Sequence, residues 1–512
     1  MLLTIMYQIM WIFMVATYVE GGSHKPNIII VLADDLGYTD AGFHGGDQIP
    51  TPHIDKLAHE GIILDNYYTA MICTPSRAAL LTGRHPMQLG LQHGVVAPPC
   101  PFGLALNETL LPQYLKKFGY VTHMIGKWHL GFFTQEYTPT HRGFDSHLGF
   151  WSGRTDYFSH ENGVFGVGKR GAGLDFWENM TVAREYNGSY GTELFGDRAV
   201  DLIMSHNQSK PFFLYLPHQA VHAGIPPQPL KAPQEYLDRF KFIKHDGRRR
   251  YAAMLSVLDD SIGNLTAALK KSGMYENTIL IFSTDNGGPA DGFDGNYASN
   301  WPLRGCKYTN WEGGVRAASF IHSPLLKNPG TTSHHLMHIS DWLPTIMSAI
   351  GEKLPSNIDY YGVDQWPSIQ FNVSSARNEI MHNYDDGAGA IRYGDYKLVI
   401  CCTENEMNGW YPEERSYIGA NQKLYIHCGE RNSSLPSCTS ADKYCLFDLA
   451  SDPCEYNNIA SLMPELAERL YRKLMTFADA AQPPRNKPSD PASHPSKHNG
   501  HWTDWLDKHP VL

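Results

Sequence analysis

Residues 26–37 read "PNIIIVLADDLG", an apolar run closed by two acids and a glycine. Such a run, with no polar residue alternating through it, is the pattern of a strand buried on both faces, hence of a parallel strand inside a covered sheet. Four later stretches share the texture: "GYVTHMIGKWHLG" (119–131), "KPFFLYLPHQAVH" (210–222), "NTILIFSTDNGG" (277–288) and "VRAASFIHSP" (315–324). Helical signals fall between them. Thr51-Pro52 opens one helix and Gly61 closes it; a second covers 108–118 with Gly119 beyond. A longer one runs from Tyr251 to Lys271, with apolar residues at 254, 257, 258, 262, 265 and 269 and Gly273 after it. The alternation predicts an α/β fold with a largely parallel sheet between helices.

From about residue 375 the texture changes. "AIRYGDYKLVI" (390–400) and "KYCLFDLASDP" (443–453) read as antiparallel strands, and "MPELAERLYRKLMTFADA" (463–480) as an amphipathic helix with Pro464 near its first turn. The organisation expected is a larger unit over 23–374, a smaller one over 375–481 and a Pro-rich tail over 482–512 that straps the surface. At 512 residues, two cores are the natural prior.

Composition narrows the partners. The hydrophobic fraction is 42%, the formal net charge −10, and no long basic block exists, so nucleic acid is a poor partner. Arg248-Arg249-Arg250, the densest basic cluster, reads as a solvated helix start. Residues 1–22 suit a secretory signal peptide: an apolar stretch from Leu2 to Val19, then small residues. A signal anchor is the alternative, opposed by Thr4, Gln8 and Thr17; no later segment is long and apolar enough for a stable membrane span. Seven Asn-x-Ser/Thr sequons, at Asn107, Asn179, Asn187, Asn207, Asn264, Asn372 and Asn432, support the secretory route, lysosomal or secreted. Of nine cysteines, six fall between 401 and 454, which reads as a disulfide-stapled region. Leaving Cys73 aside, the remaining eight permit four bridges.

The chemistry gathers where the strands end, which is where open parallel sheets bind ligands. The first strand delivers Asp34-Asp35, the second Lys127 and His129, the third His218 and His222, the fourth Asp285-Asn286. The oxygen-rich set of Asp34, Asp35, Asp285 and Asn286 suits Ca²⁺ or Mg²⁺ better than Zn²⁺. Either pair alone would be an ordinary cap or turn. "MICTPSRAALLTGRHP" (71–86) places Cys73 just before Pro75, at the start of a helix that stops at Gly83. A helix N-terminus favours an anion, Arg77 adds a fixed charge one turn on, and Arg84 adds another.

"CTPSRAALLTGR" resembles the signature of the type I sulfatases, Cys-x-Pro-Ser-Arg followed by Leu-x-Thr-Gly-Arg. "GKWHLG", "HRGFD" (141–145), "STDNGG" and "NWPLRGCKYTNWEGGVR" (300–316) resemble further blocks of that family in order, and "LQHGVV" and "HISDWLPT" its arylsulfatase B-like branch. The resemblance covers residues 25–370 well and the rest loosely. It implies an alkaline-phosphatase-like fold: a large mixed sheet between helices, then a smaller C-terminal antiparallel sheet with one helix.

It also implies a mechanism. Cys73 becomes formylglycine, installed by the formylglycine-generating enzyme. One hydroxyl of the hydrated aldehyde attacks sulfur, and the other then expels sulfate. Asp34, Asp35, Asp285 and Asn286 hold one Ca²⁺ together with the modified Cys73. Asp285 is the base on the attacking hydroxyl, Arg77 holds the formylglycine, and His129 takes the proton from the second hydroxyl. Lys127, His222 and Lys307 clamp sulfate and assist the leaving oxygen; family spacing favours His222 over His218. Cys306 stands where this branch has arginine. The implied substrate is a sulfated glycan, as in an N-acetylgalactosamine-4-sulfatase, with small aryl or glucoside sulfates as the alternative. A phosphodiesterase of the same superfamily would need Ser or Thr for Cys73 and histidine zinc ligands. A non-catalytic glycan binder would not need the catalytic types retained here.

Overall fold

The computed structural model describes residues 25–163, 172–292, 294–400, 406–411, 425–436, 438–439 and 442–507. The signal-peptide segment, Cys401 and Cys402 lie outside the described residues. A ten-stranded sheet organises the chain. Its strands are β1 (Asn27–Ala33), β2 (Ile62–Leu64), β3 (Val121–Lys127), β4 (Ser146–Phe150), β5 (Trp177–Glu178), β6 (Thr181–Val182), β7 (Phe212–Pro217), β8 (Thr278–Thr284), β9 (Ser319–His322) and β10 (Thr331–Ser333). The spatial order is β10-β2-β9-β8-β1-β7-β3-β4-β5-β6. The central five, β8-β1-β7-β3-β4, are all parallel.

The uninterrupted apolar run of β1 is explained by what covers it. Ile29, Val31 and Ala33 enter one core, while Ile28, Ile30 and Leu32 enter the other. The first core packs helices α1 (Pro52–His59), α4 (Gly191–Ser205) and α5 (Asp246–Ser272) on one face; the second packs α2 (Cys73–Thr82), α3 (Leu111–Lys117) and α6 (Trp342–Ala349) on the other. β9 departs from the sequence reading: it runs antiparallel to β8, with Ile281 opposite Ile321. Periodicity cannot distinguish the two directions, because a doubly covered antiparallel strand is equally apolar.

The C-terminal texture resolves into a four-stranded antiparallel sheet of β11 (Glu379–Asp385), β12 (Ala388–Tyr393), β13 (Tyr396–Ile400) and β14 (Cys445–Asp448), with α7 (Pro464–Asp479) against it. The 390–400 run is two strands joined at Gly394-Asp395, where Gly394 has a φ of 56°, the left-handed geometry a tight hairpin demands. The stretch read as a strand over 443–453 pairs only over Cys445–Asp448.

Three further expectations need correction. Among the described residues two disulfides form, Cys428–Cys454 and Cys438–Cys445. Cys73, Cys100 and Cys306 carry free thiols, so the eight do not make four bridges. Arg248 is not solvated: it is 1% exposed and pairs with Asp40 at 2.7 Å. Only Arg249 and Arg250 take the surface role, both paired with Asp246. The tail is more than a surface strap, because Trp502 and Trp505 are buried and Trp505 packs edge-on against Phe132. All seven sequon asparagines are exposed. Among the described residues no helix is long and apolar enough to cross a membrane.

Candidate active site

The loops leaving β1, β3, β7 and β8 open at one edge of the sheet, since these strands are parallel. β1 lies between β7 and β8, so Asp34 and Asp35 fall between the residues those two strands deliver. The β1 and β7 loops are tied together: Asp34 N donates to Ala220 O at 3.0 Å and Val221 N to Asp34 O at 2.7 Å.

Cys73 is the first residue of α2, after Ile72 as the N-cap, and its thiol lies 3.7 Å from Asp34 Oδ1. Every residue of α2 is buried, so the helix is held from all sides and fixes Arg77 one turn on. The Arg77 guanidinium donates twice to Asp285 Oδ2, at 3.0 and 2.8 Å, and once to Lys127 O at 3.1 Å. It also lies 3.4 Å from Asp34. Lys127 Nζ donates to Asp34 Oδ2 at 2.6 Å. Lys307 Nζ donates to Asp35 Oδ2 at 2.8 Å and to His222 Nε2 at 3.2 Å. His222 Nδ1 sits 2.6 Å from Ala223 O, which makes Nδ1 the protonated nitrogen and turns the Nε2 lone pair toward Lys307.

Burial sets the electrostatics. It raises Asp34 to about 7, helped by Asp285 and opposed by Lys127 and Arg77. Asp35 is raised for the same first reason. Burial also pushes Asp285 up, but Arg77, Lys127 and Lys307 outweigh it and hold that carboxyl below its ordinary range. His129 is held well below its ordinary value by burial and then by Lys127, Arg77 and Lys307, so its ring is neutral. Burial pushes the Cys73 thiol far up, so an unmodified Cys73 stays protonated and is a poor nucleophile here.

Ligand atoms of Asp34, Asp35, Cys73 and His222 lie within 4.8 Å of one another. Asn286 donates its amide N–H to Asp35 at 2.6 Å. Its Oδ1 is buried, and no partner among the described residues reaches it. An orphaned amide oxygen among three buried carboxylates fits a hard divalent cation. Asp35 and His129 both have a φ of 62°, a strained conformation for non-glycine residues that concentrates at functional sites.

The residues singled out from sequence therefore meet, with two exceptions. Arg84 lies past the far end of α2 and pairs with Glu108 at 2.6 Å. A helix that places Cys73 and Arg77 in the site carries a residue two turns later out of it. His218 is buried beside Phe195, away from the clamp, and no partner reaches either ring nitrogen among the described residues. Cys306 is buried, with its thiol 3.6 Å from Asp291 O. Sequence reasoning missed Asp294, which lies 3.4 Å from Lys307 and 3.5 Å from His222, and Arg154, which pairs with Asp294. Both sit in loops just past the carboxyl ends of β8 and β4, so the edge rule could have found them.

Above Cys73 opens a cavity of about 310 Å³, lined by residues 95–99 together with His129, Arg154, His222, Asp294 and Lys307. Ser489 of the C-terminal strap completes its wall.

Comparison with known proteins gives the same reading. Residues 26–352 match the family described as Sulfatase. The chain is 41% identical to Arylsulfatase J of Mus musculus over 510 residues, covering 95% of this chain and 81% of that protein. It is 30% identical to N-acetylgalactosamine-6-sulfatase of Mus musculus, covering 85% and 82%. Among solved structures, the PsFucS1 sulfatase from Pseudoalteromonas sp. aligns with a TM-score of 0.67 and 26% identity, over 91% of this chain and 92% of that one. Cysteine at the mouth of α2, the buried carboxylate cluster and these likenesses together show that the chain belongs to the sulfatase family, the hydrolases of sulfuric esters.

Proposed function

We propose that this protein hydrolyses the sulfate esters of glycans through a formylglycine made from Cys73, with one Ca²⁺ held by Asp34, Asp35, Asp285, Asn286 and the modified Cys73. The observation that carries the reading is the cluster itself: a cysteine at a helix N-terminus, 3.7 Å from a buried carboxylate and one turn from Arg77. The fit of the cation rests on the orphaned Asn286 oxygen and on the burial that pushes Asp34 and Asp35 up. When bound, the cation supplies charge that holds those carboxylates ionised and polarises the ester. Formylglycine supplies, as its hydrate, one hydroxyl to attack sulfur and a second to expel sulfate.

The chain's own residues do the rest. Arg77 orients Asp285 through two hydrogen bonds and, lying one turn from Cys73, steadies the residue that attacks. Asp285, held ionised by Arg77, accepts the proton of the attacking hydroxyl. Lys127, Lys307 and His222 surround the space where ester oxygens would lie, and the positive charge of the two lysines grows in value as negative charge develops there. His129, neutral because burial and three cations disfavour its protonated form, is free to take the proton from the second hydroxyl. Its neutrality below its ordinary range is compatible with acidic working conditions.

An amino-sugar sulfate, N-acetylgalactosamine 4-sulfate in chondroitin-like chains, is the proposed substrate. The sequence resemblance supports the 4-position, and the similarity to N-acetylgalactosamine-6-sulfatase supports the amino sugar only. The division into 23–374, 375–481 and 482–512 supports a catalytic unit, a smaller sheet packed on it and a strap. Exposed sequons and two disulfides support a secretory route, to lysosome or outside, with the formylglycine-generating enzyme as maturation partner.

The test has two parts. Mass spectrometry of the Cys73 peptide from a eukaryotic host is expected to show formylglycine, and Cys73→Ser to lose nearly all turnover of an aryl sulfate. An active sample with only unmodified Cys73 would sink the mechanism. Metal analysis is expected to return one calcium per chain; stoichiometric zinc without calcium would favour a phosphodiesterase.

A further inference from the structure

The cavity above Cys73 has a lining of two kinds. Ile72 and residues 95–99, "VVAPP", present hydrocarbon. The same cavity is lined by a carboxylate that hydrolysis does not use. Asp294 has a φ of 59°, a conformation costly outside glycine. Its side chain is 9% exposed, with Oδ1 accepting from Arg154 Nη1 and Oδ2 turned toward Lys307 and His222. Neutralising Lys307 does not account for it, because Asp35 already pairs with that ammonium at 2.8 Å. Arg154 in turn balances the Asp294 charge, so the pair adds a fixed acceptor beside the sulfate clamp with little change in net charge.

We propose that Asp294, positioned by Arg154, is a specificity-determining residue: it accepts a hydrogen bond from a hydroxyl or amide N–H next to the sulfate ester of a sugar ring whose C–H face rests on residues 95–99. This rests on the sulfatase reading of the site. A carboxylate offers acceptors only, so a group lodged against its free lone pairs must be a donor. A sugar carries such a donor on a carbon near its ester, and a simple aryl sulfate does not. A site built around a buried polar group discriminates strongly against the analogue that leaves that group unpaired. The hydrocarbon wall suits the same ligand, since a pyranose has one face of C–H bonds and polar groups around its rim. The preferred substrates are therefore carbohydrate sulfates with a donor near the ester, and aryl sulfates are poorer ones.

The experiment compares substrates as well as variants. The mature enzyme is assayed on 4-nitrophenyl sulfate, which has no donor beside its ester, on a panel of hexose and hexosamine monosulfates, and on the analogue of the best sugar that lacks the hydroxyl or acetamido group nearest the ester. The wild type is expected to lose roughly ten- to a hundredfold in kcat/KM on that analogue, the size of a hydrogen bond to a charged group. Asp294→Ala, checked for unchanged thermal melting, is expected to discriminate between the same two sugars by no more than about twofold, because no acceptor remains to couple to the donor. An equal penalty in wild type and variant overturns the proposal, as does a wild type indifferent to the missing donor, a result that needs no variant. Turnover of the aryl sulfate with no sugar sulfate accepted also overturns it and leaves the sulfatase reading standing. Failure on every sulfate ester overturns that reading itself.

Discussion

At the scale of single residues, the site depends on small side chains as much as on charged ones. A Cβ at Gly153 would stand 2.7 Å from both Cε1 and Nε2 of His129. No real Cβ tolerates that distance, so the glycine is what lets the imidazole face the cavity. Gly153→Ala is expected to lower kcat by about tenfold or more, since an ångström of misplacement is that costly, while melting temperature moves little. Unchanged kcat would show that the His129 ring is placed by something else. Asp34, Asp35, Lys127 and Asp285 were legible because each closes an apolar run, whereas Arg77 was read from the cysteine string and Lys307 from the resemblance. Gly153 was not, because the atom it spares belongs to a residue 24 positions earlier and on a different strand.

At the scale of elements, the smaller sheet is fastened to the larger unit by a buried charge triad. Lys397 of β13 reaches Glu312 and Glu455, each at 2.9 Å, and all three are wholly buried. Glu312 also accepts from Tyr68 at 2.7 Å, and its backbone N–H donates to Glu455 at 2.8 Å. Burial and the nearby Glu312 charge raise Glu455 to about 7 even with Lys397 beside it. Lys397→Met would leave two carboxylates buried without their cation. That variant is expected to lose about 3–5 kcal/mol in urea unfolding, the usual cost of breaking a buried pair from one side. A loss under about 1 kcal/mol would mean that water or a proton replaces the ammonium without difficulty. The hairpin carrying Lys397 was readable from its alternation. Its partners were not, since they come from remote segments joined only by folding.

At the scale of the whole molecule, buried histidines make stability depend on pH. His85 and His338 lie 5.9 Å apart, both edge-on to Tyr361, and His382 on β11 packs against Tyr68. Burial lowers His85 to about 4 and carries His338 and His382 well below their ordinary value, with Arg377, Lys397 and Arg392 adding to the effect. In the unfolded chain each takes up a proton near pH ~6.5. Between that pH and the folded values the unfolded state therefore binds more protons, and stability falls as pH falls. The contribution is complete above the unfolded value and is lost toward pH 4; His85 alone accounts for about 3 kcal/mol there. Melting temperature is expected to decline from pH 6.5 to 4.5, and less steeply in His85→Gln. An unaltered slope in that variant would assign the decline to other groups.

What the sequence determined by itself is the α/β architecture, the strands that end in functional residues and the identity of the chemistry. These are local properties: a doubly buried strand must be apolar throughout, and the turn beyond it is the first place a polar group can stand. The cysteine with its proline and arginine is a contiguous string, so its meaning survives without a fold. Tertiary structure alone decided the direction of β9, the separation of Arg84 and His218 from the site, and the free thiols of Cys100 and Cys306. It alone brought Ser489 to the cavity and paired Arg154 with Asp294 there. These depend on which loops meet in space, and loop composition does not encode the distance between residues that only packing brings together.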